Sequence, residues 1–413
     1  MEVIVYMNKI KVGTLYEQGG VISFEYEKDF IDLGLNISPI KLPFDTTTYV
    51  NLDDKYYDTL AGVFHDSLPD KFGTKVVERY YESLGIAPRE LSTLQKLVFI
   101  GDRGMGSLEY EPKVNILDDK EILESLEIKN LYEESKKIIK GKTNEVISSI
   151  FMESGASAGG ARAKAVVGWD RKNNKLVSGA SKIPDGFEYW LIKFDNEDNT
   201  VEKKPLDFTK LEFLYMSIAK KCGITIPEIR LIKSENLTHF AIKRFDRKDG
   251  EKIHMHSLAS MLHLNFNIPK HFSYDETLRV VWRITKDKRD VLEMYKRAVF
   301  NIISRNQDDH AKNTSFLMDE YGNWRLSPAY DITYAHGSNF TKNHQMSVVG
   351  KVNNFTKKDL LLLASKNDIK ESIASKIIDD IVGNMALFEE KATQLHIRKD
   401  LVKLVKDDIR IDL

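Results

Sequence analysis

Residues 304–313, SRNQDDHAKN, crowd carboxylates, amides, an imidazole and an ammonium group into one short stretch. The segment before it, DVLEMYKRAVFNII at 290–303, has apolar residues at helical spacing. The segment after it, TSFLMDEYGNWRLSPAYDITYA at 314–335, alternates like two strands around a Gly-Asn turn. The pattern therefore predicts a polar loop between a helix and a pair of strands. Such a loop is either a solvated turn or a site that holds a metal ion and a reacting hydroxyl group.

Composition and charge exclude several classes of protein. The chain has 413 residues, of which 42% are hydrophobic and 30% are charged, as expected for a globular protein with two or three domains. A formal net charge of -1 gives no overall attraction to nucleic acid or anionic lipid, so a DNA contact would need a partner or a local patch. The single cysteine, Cys222, allows no intramolecular disulfide. With no visible signal peptide or membrane-length apolar run, we expect a cytoplasmic protein with no membrane partner.

The pattern of strands and helices changes twice along the chain. Residues 1–145 begin with strand patterns, continue into a helical pattern at 56–83 that Pro69 interrupts, and end in connecting helices. Residues 146–245 mix strands such as YWLIKF with an amphipathic helix, and residues 246–413 are mostly helical. The sequence thus predicts an α+β fold with three units.

The polar loop contains a spacing that is typical of protein kinases. In those enzymes the catalytic Asp and a metal-binding Asn are separated by four residues, and a second metal-binding Asp follows. Asp308 and Asn313 have this spacing, and Asp331 follows after the predicted hairpin. Their oxygens are the hard ligands that Mg²⁺ prefers. Alone the spacing is weak, because Asp and Asn also favour ordinary surface turns.

Two further features occur upstream, in the order that a kinase requires. Lys193 lies in the apolar strand YWLIKF, where an unpaired ammonium group is costly, and Glu212 follows in an amphipathic helix. Such a Lys–Glu pair holds ATP phosphates in kinases, although a lysine at a strand edge is the simpler explanation of Lys193 alone. The stretch SGASAGGARAKAVV at 154–167 carries Lys164 and small residues that let backbone amides approach phosphates, and a loop without a ligand is its alternative. In combination these features predict a kinase-like site.

Together the motifs resemble the HipA family of bacterial toxin serine/threonine kinases. The resemblance covers nearly the whole chain and rests on GDRGMGSLEY (101–110), FAIKRFDR (240–247), NQDDHAKNTSFL (306–317), LSPAYDITY (326–334) and HQMSVVGK (344–351). It implies a protein-kinase-like two-lobe fold, with a β-rich N-terminal subdomain and connecting helices at 1–145, a nucleotide-binding small lobe at 146–245 and a mostly helical catalytic lobe at 246–413. It also implies transfer of the γ-phosphate of ATP to a protein Ser or Thr, with ATP and Mg²⁺ as cofactors.

The resemblance assigns roles to individual residues of this sequence. It makes Asp308 the catalytic base and makes Asn313 and Asp331 the ligands of Mg²⁺. The residues that it places around ATP outside the polar loop are Lys164, Lys193, Glu212, Lys243, Phe245, Gly159, Gly160 and Ala161. Lys243 and Phe245 belong to a hinge that faces adenine, and Lys243 stands where family members often have Glu.

The remaining assignments concern the polar loop and a regulatory serine. Lys312 is expected to steady the transferring phosphoryl group, and His310 to fix the loop or contact the nucleotide. Ser157 stands where the family carries an autophosphorylated serine, with Ser154 as the competing residue. Phosphorylation there would add about two negative charges beside ATP, and we expect this to switch the enzyme off.

The resemblance also implies partners, and two other functions remain open. A helix-turn-helix antitoxin of the HipB type would bring the DNA contact, and the protein substrate would be an aminoacyl-tRNA synthetase or another translation component. Alternatively, His254 and His256 in HMHS could join the loop carboxylates in a metal-dependent phosphohydrolase, although this stretch also fits the start of a helix. The last alternative is an inactive kinase-like module that only binds ATP or a protein.

Overall fold

The computed structural model of the protein describes residues 1–52, 55–117, 124–140, 147–155, 162–180, 182–200, 202–337 and 339–413. The chain begins with four antiparallel strands, β1 (Glu2–Met7), β2 (Ile10–Gln18), β3 (Val21–Tyr26) and β4 (Leu108–Glu111). Their order in the sheet is β3-β2-β1-β4. The turn between β1 and β2 uses Asn8 and Lys9, which both have positive φ. Asn tolerates this left-handed conformation better than most residues do.

The helices of the N-terminal part are shorter than the sequence pattern predicts. They are α1 (Lys28–Asp32), α2 (Gly62–His65), α3 (Lys71–Ser83), α4 (Thr93–Ile100), α5 (Ile128–Lys140) and α6 (Ser149–Gly155). The helical pattern at 56–83 is only half confirmed, because a 3-10 turn and the short α2 precede Pro69 and the long helix α3 follows it. A proline disfavours helix in the residue before it, so the break at this position is expected.

The middle of the chain forms a five-stranded antiparallel sheet and the helix α7 (Phe208–Lys221). The strands are β5 (Lys164–Asp170), β6 (Lys175–Ser178), β7 (Glu188–Lys193), β8 (Ile229–Ser234) and β9 (Leu237–Lys243). The order is β6-β5-β7-β9-β8. Four of these strands are predicted from the sequence, whereas β6 is too short for its alternation to be recognised. The register pairs Lys164 with Lys193, which brings two of the predicted site residues side by side.

The C-terminal part is mostly helical. Its helices are α8 (Leu258–Met261), α9 (Tyr274–Thr285), α10 (Lys288–Ser304), α11 (Lys357–Ser365), α12 (Glu371–Met385), α13 (Phe388–Gln394) and α14 (Lys399–Asp408). Its short strands are β10 (Arg247–Lys248), β11 (Glu251–Lys252), β12 (His254–Ser257), β13 (Phe272–Ser273), β14 (Ser315–Met318), β15 (Trp324–Leu326) and β16 (Met346–Ser347). Strands β12, β14 and β15 form the sheet beside the polar loop. Helix α11 begins with a capping box between Thr356 and Asp359, as the spacing of these two residues predicts.

Buried apolar side chains of the described residues form two groups. One joins the N-terminal sheet to the helices of the C-terminal part, and includes Val3 and Phe24 together with Leu278 and Phe300. The other packs α3 to α6 against the middle sheet. This distribution agrees with the predicted α+β fold class, while the bounds of the three domains stay predictions. Within the described ranges, no helix combines the length and the apolar character that a membrane crossing requires.

A buried charge cluster fastens the N-terminal subdomain to the segment that follows β9. The carboxylate of Asp246 accepts hydrogen bonds from Arg244 (2.9 Å), from Arg247 (2.9 Å) and from the backbone N–H of Gly106 (2.8 Å). Both guanidinium groups also donate to the carbonyl oxygen of Gly104, at 3.1 and 3.0 Å. The GDRGMG loop is thus a docking element between two units of the fold.

We expect Asp246→Asn to destabilise the protein strongly. The substitution leaves two buried guanidinium groups without their anion, and breaking such a pair costs about 3 to 5 kcal/mol. Urea unfolding should show a correspondingly lower free energy of unfolding. Asp249→Asn, at an exposed position three residues on, is the control and should leave the unfolding curve unchanged. Equal stability of the two variants would contradict the structural role of the cluster.

Candidate active site

The polar loop at 304–313 connects α10 to β14, as the sequence predicts. Helix α10 ends at Ser304 because Arg305 adopts a left-handed conformation, with φ of 57°. The 3-10 turn Ala311–Asn313 then leads into β14. Regular structure therefore fixes both ends of the loop, and its side chains are presented from a rigid frame.

The centre of the loop is anchored by Asp309, whose role was not predicted from the sequence. This carboxylate is buried and accepts hydrogen bonds from the hydroxyl of Tyr274 (2.7 Å) and the backbone N–H of Gln345 (2.7 Å). The Nδ1 atom of His344 lies 2.8 Å from Oδ2, the oxygen that Tyr274 also contacts. These contacts come from two separate segments and involve both carboxylate oxygens, so Asp309 fixes the loop in place.

Asp308, its neighbour, points outward instead. Its side chain is 46% exposed, and Nε2 of His310 lies 3.5 Å from its Oδ1 atom. Partial burial raises the pKa of this carboxyl, attraction by His310 opposes that effect, and repulsion by Asp331 adds to it. The amide of Asn313 donates to the Asp308 backbone carbonyl at 2.9 Å. An accessible carboxylate with a raised pKa can accept a proton from a hydroxyl group.

Lys193 joins two carboxylates at the end of β7. Its ammonium nitrogen lies 2.6 Å from Oε1 of Glu212 and also contacts the carboxylate of Asp331. Burial raises the pKa of Asp331, but attraction by Lys193 and Lys164 outweighs this and lowers it to about 2. Helix α7 begins at Phe208, so Glu212 lies in its second turn and not at its start. The three charged groups therefore meet, with the Asp331 carboxyl held as an anion.

Lys164 completes a pair of lysines at this place. It lies opposite Lys193 in the β5–β7 register and is buried. Burial and repulsion by Lys193 lower the pKa of its ammonium group to about 8, against the attraction of Asp331. Two adjacent ammonium groups at the end of the sheet form a suitable site for a phosphate group.

Lys312 is held from the N-terminal subdomain. Its ammonium nitrogen lies 2.5 Å from Oδ1 of Asp70, and 5.4 Å from the ring centroid of Phe266. Its backbone carbonyl accepts a hydrogen bond from the hydroxyl of Tyr330 at 2.8 Å. This contact with Asp70 could not be predicted from the sequence, because no local spacing links a residue at a helix start to a loop more than two hundred positions away.

The two hinge residues lie differently with respect to the site. The backbone N–H of Lys243 donates to the carbonyl of Glu228 at 2.8 Å, and its ammonium group pairs with Glu188. The ring of Phe245 stacks on that of Tyr330, with centroids 5.8 Å apart, directly before Asp331 in the chain. Phe245 thus borders the site, whereas the side chain of Lys243 turns to its strand neighbour. The roles of both residues in nucleotide binding stay predictions.

Four of the predicted residues lie outside the described part of the chain, namely Ser157, Gly159, Gly160 and Ala161. Ser154 is described and fully buried at the end of α6, where its hydroxyl donates to the carbonyl of Ile150 at 3.0 Å. In this conformation Ser154 is therefore not accessible to a kinase site.

Arg162, the first described residue after the glycine-rich stretch, is a residue that the sequence reasoning missed. Its guanidinium carbon lies 5.0 Å from the ring centroid of Phe208, and its charge lowers the pKa of Asp308. An arginine beside the predicted base could have been found only if the fold had been known, because the two residues are far apart in sequence.

The two histidines of the rival metal site are occupied by the protein. Nε2 of His254 lies 2.9 Å from the carbonyl oxygen of Ile37. His256 contacts Asp66 through Nδ1 at 2.7 Å and Ser38 through Nε2 at 3.1 Å. Burial lowers the pKa of His254 to about 4, so it is a neutral side chain of the core. Both histidines thus contact residues between 37 and 66 of the N-terminal part.

Asn313 and Asp331 are the residues that fit a magnesium ion. Both line a small cavity beside the loop, which they share with His310. One carboxylate and one amide are a sufficient protein contribution for Mg²⁺, which takes its other ligands from water and substrate phosphates. Among the described residues, no group of three or more His, Cys, Asp or Glu is arranged to bind a metal by itself.

Comparison with known proteins identifies relatives of both parts of the chain. Residues 156–387 match the model of the HipA-like C-terminal domain, and residues 3–111 match that of the HipA N-terminal domain. The protein Y4dM of Sinorhizobium fredii is 27% identical over 228 residues, which are 49% of this chain and 52% of that protein. The serine/threonine-protein kinase toxin HipA of Shewanella oneidensis is 21% identical over 74% of this chain and 68% of its own. The chain thus spans about half the length of the first of these curated relatives.

The fold has a counterpart among solved structures. The HipA chain in the complex of Shewanella oneidensis HipA, HipB and operator DNA superposes with a TM-score of 0.70, at 16% identity, over 98% of this chain and 94% of that one. This likeness confirms the predicted two-lobe architecture. The assignment of roles to single residues rests on the geometry described above and stays a prediction.

We expect Lys164→Met to stabilise the protein at pH 7. A fall in pKa from 10.5 to about 8 corresponds to about 3 kcal/mol that the buried charge costs the folded state. Between these two values the unfolded chain binds more protons, so the stability contributed at this position rises with pH. Urea unfolding should therefore show a large gain for the variant at pH 7 and a smaller one at pH 10. Lys175→Met, at an exposed position of β6, is the control. An equal gain at both pH values would contradict the assignment.

Proposed function

The chain belongs to the HipA family, and on that premise we propose that it is an ATP-dependent protein serine/threonine kinase and the toxin of a toxin–antitoxin system. The observation that carries this proposal is the meeting of Lys193 with Glu212 and Asp331, next to a loop that presents Asp308. A strand lysine, a helix glutamate and a metal-binding aspartate in this relation are the parts that position ATP in kinases.

The described residues have distinct parts in the proposed reaction. Asp308 accepts the proton of the substrate hydroxyl while the oxygen of that hydroxyl forms a bond to the γ-phosphorus. The bond between the γ-phosphorus and the β–γ bridging oxygen breaks at the same time, and ADP is released. Lys164 and Lys193 bind phosphate oxygens, and Asn313 and Asp331 hold Mg²⁺. When bound, Mg²⁺ neutralises the phosphate charge that develops during the transfer. Because Lys193 keeps Asp331 ionised, the metal-binding carboxylate is available at all ordinary pH values.

We further propose that the kinase phosphorylates itself on Ser157. The buried hydroxyl of Ser154 is hydrogen-bonded within α6, and this removes the competing residue in the described conformation. A phosphate on the glycine-rich stretch would place about two negative charges next to Lys164 and the ATP phosphates. The modified loop would then compete with ATP and inactivate the enzyme.

The proposed partners follow from the relatives. The solved HipA neighbour is assembled with HipB and operator DNA, and this supports a HipB-type helix-turn-helix antitoxin as partner of this chain. Such a protein would supply the DNA contact, which a chain of net charge -1 does not favour by itself. For the protein substrate, an aminoacyl-tRNA synthetase or another translation component is the first class to test, and phosphoproteomics of cells expressing wild type or Asp308→Asn would identify it.

We expect Asp308→Asn to abolish labelling of the protein by γ-labelled ATP and Mg²⁺. Loss of a general base lowers the rate by at least about a hundredfold. ATP affinity should remain within about twofold of wild type, because that carboxylate is not a phosphate or metal ligand. Asp331→Asn should weaken binding of Mg·ATP as well. Asp368→Asn, in an exposed ion pair with Lys288, is the control and should label normally.

The same assay separates the rival functions. A phosphohydrolase would release phosphate without labelling the protein and would lose activity in the His254→Gln, His256→Gln double variant. An inactive binding module would give neither label nor phosphate in wild type. Equal labelling of wild type and Asp308→Asn would refute the assigned base.

We expect Ser157→Ala to remove self-labelling while transfer to a protein substrate persists. The matched variant Ser154→Ala should keep self-labelling, since its hydroxyl is buried. Mass spectrometry of the labelled protein identifies the site in each case. If label persists in Ser157→Ala and disappears in Ser154→Ala, the phosphorylated residue is Ser154 and not Ser157.

A further inference from the structure

The N-terminal subdomain contributes a carboxylate to the candidate active site. Asp70 occupies the N-cap position of α3, where an aspartate usually accepts a hydrogen bond from the first turn of its own helix. Its side chain makes no such bond. It forms an ion pair with Lys312 instead, with 2.5 Å between Oδ1 and Nζ. The side chain of Asp70 thus contacts the distant polar loop and does not cap its own helix.

The contact is well enclosed. The side chains of Lys312 and Asp70 are only 19% and 22% exposed, so their attraction is little screened by solvent. Lys312 is also held through its backbone carbonyl by Tyr330, and Phe266 lies beside its ammonium group. Both the main chain and the charged end of Lys312 are therefore fixed, which is unusual for a side chain with four rotatable bonds.

Asp70 also adds negative charge to the site. It attracts Lys164 as well as Lys312, and Asp66 of the same subdomain also attracts Lys312. Glu212 and Asp331, which pair with Lys193, belong to the kinase lobes. The N-terminal subdomain therefore supplies part of the negative charge that faces the lysines of the site.

We propose that Asp70 is a positioning residue for phosphoryl transfer, which acts by holding the Lys312 ammonium group beside the catalytic loop. This inference rests on the proposed kinase function. In the sequence, Lys312 lies between Asp308 and Asn313, within the catalytic loop. A shift of its ammonium group should therefore affect the transfer of the phosphoryl group more than the binding of the nucleotide. The N-terminal subdomain then takes part in phosphoryl transfer through Asp70.

The test compares Asp70→Asn with wild type in self-labelling by γ-labelled ATP at fixed protein concentration. We expect the rate constant at saturating ATP to fall about ten- to a hundredfold, as for other misplaced catalytic groups. The ATP concentration that gives half the maximal rate should stay within about twofold. Asp70→Glu, which keeps the charge, should recover part of the rate. Asp102→Asn is the matched control, because it removes the partner of Lys113 from a more exposed ion pair of the same subdomain.

A double-mutant cycle decides whether Asp70 acts through Lys312. If it does, the double variant Asp70→Asn, Lys312→Met will label no more slowly than Lys312→Met alone, because the interaction between the two residues is already lost in Lys312→Met. If the double variant is slower by the product of the two single losses in rate, Asp70 acts on the fold and the proposal is overturned.

An unchanged or higher rate in Asp70→Asn would also overturn the proposal. An inactive wild type would instead refute the proposed kinase function, so the two failures are distinguishable.

Discussion

The buried ammonium group of Lys193 is the constraint on which the arrangement of the site depends. An ammonium group cannot remain charged in an apolar sheet without anionic partners, and Lys193 has two, Glu212 and Asp331. These partners belong to helix α7 and to the segment after β15. One side chain therefore joins the small lobe, its helix and the segment after the polar loop. The proposed nucleotide site lies where these segments meet, because Lys193 must be close to both Glu212 and Asp331.

The N-terminal subdomain also holds parts of the site in place through polar contacts. It holds the segment after β9 through Gly104, Gly106 and the Asp246 cluster, and it holds the polar loop through Asp70. A third contact, between Arg103 and Glu153, reaches the helix before the glycine-rich stretch, with 3.3 Å between the charged atoms. These are the parts that must keep a fixed relation if a kinase is to bind ATP and transfer phosphate. A subdomain that contacts all of them sets the geometry of the site.

Local patterns predicted the elements of the fold and the residues of the loop, and they failed where contacts are distant. The loop between α10 and β14 and four strands of the middle sheet follow from periodicity, and the pairing of Lys193 with Glu212 follows from the cost of burying charge. Strand β6 is too short for a pattern to be recognised. Asp70 and Arg162 depend on contacts between segments far apart in the chain, which no spacing encodes. His254 and His256 suggested metal ligands by type alone, but their neighbours make them core residues.

Asp308 and Asp309 show how environment divides two identical side chains. Asp309 is buried and already surrounded by Tyr274, His344 and Gln345, so a substrate hydroxyl cannot reach it. Asp308 is half exposed, and Nε2 of His310 lies 3.5 Å from its Oδ1 atom. Its raised pKa brings it closer to the range in which a carboxylate can take and release a proton. The two neighbouring aspartates therefore have different roles: Asp309 fixes the loop, and Asp308 is the proposed base. Because Asp309 holds the loop rigid, it also holds Asp308 in place.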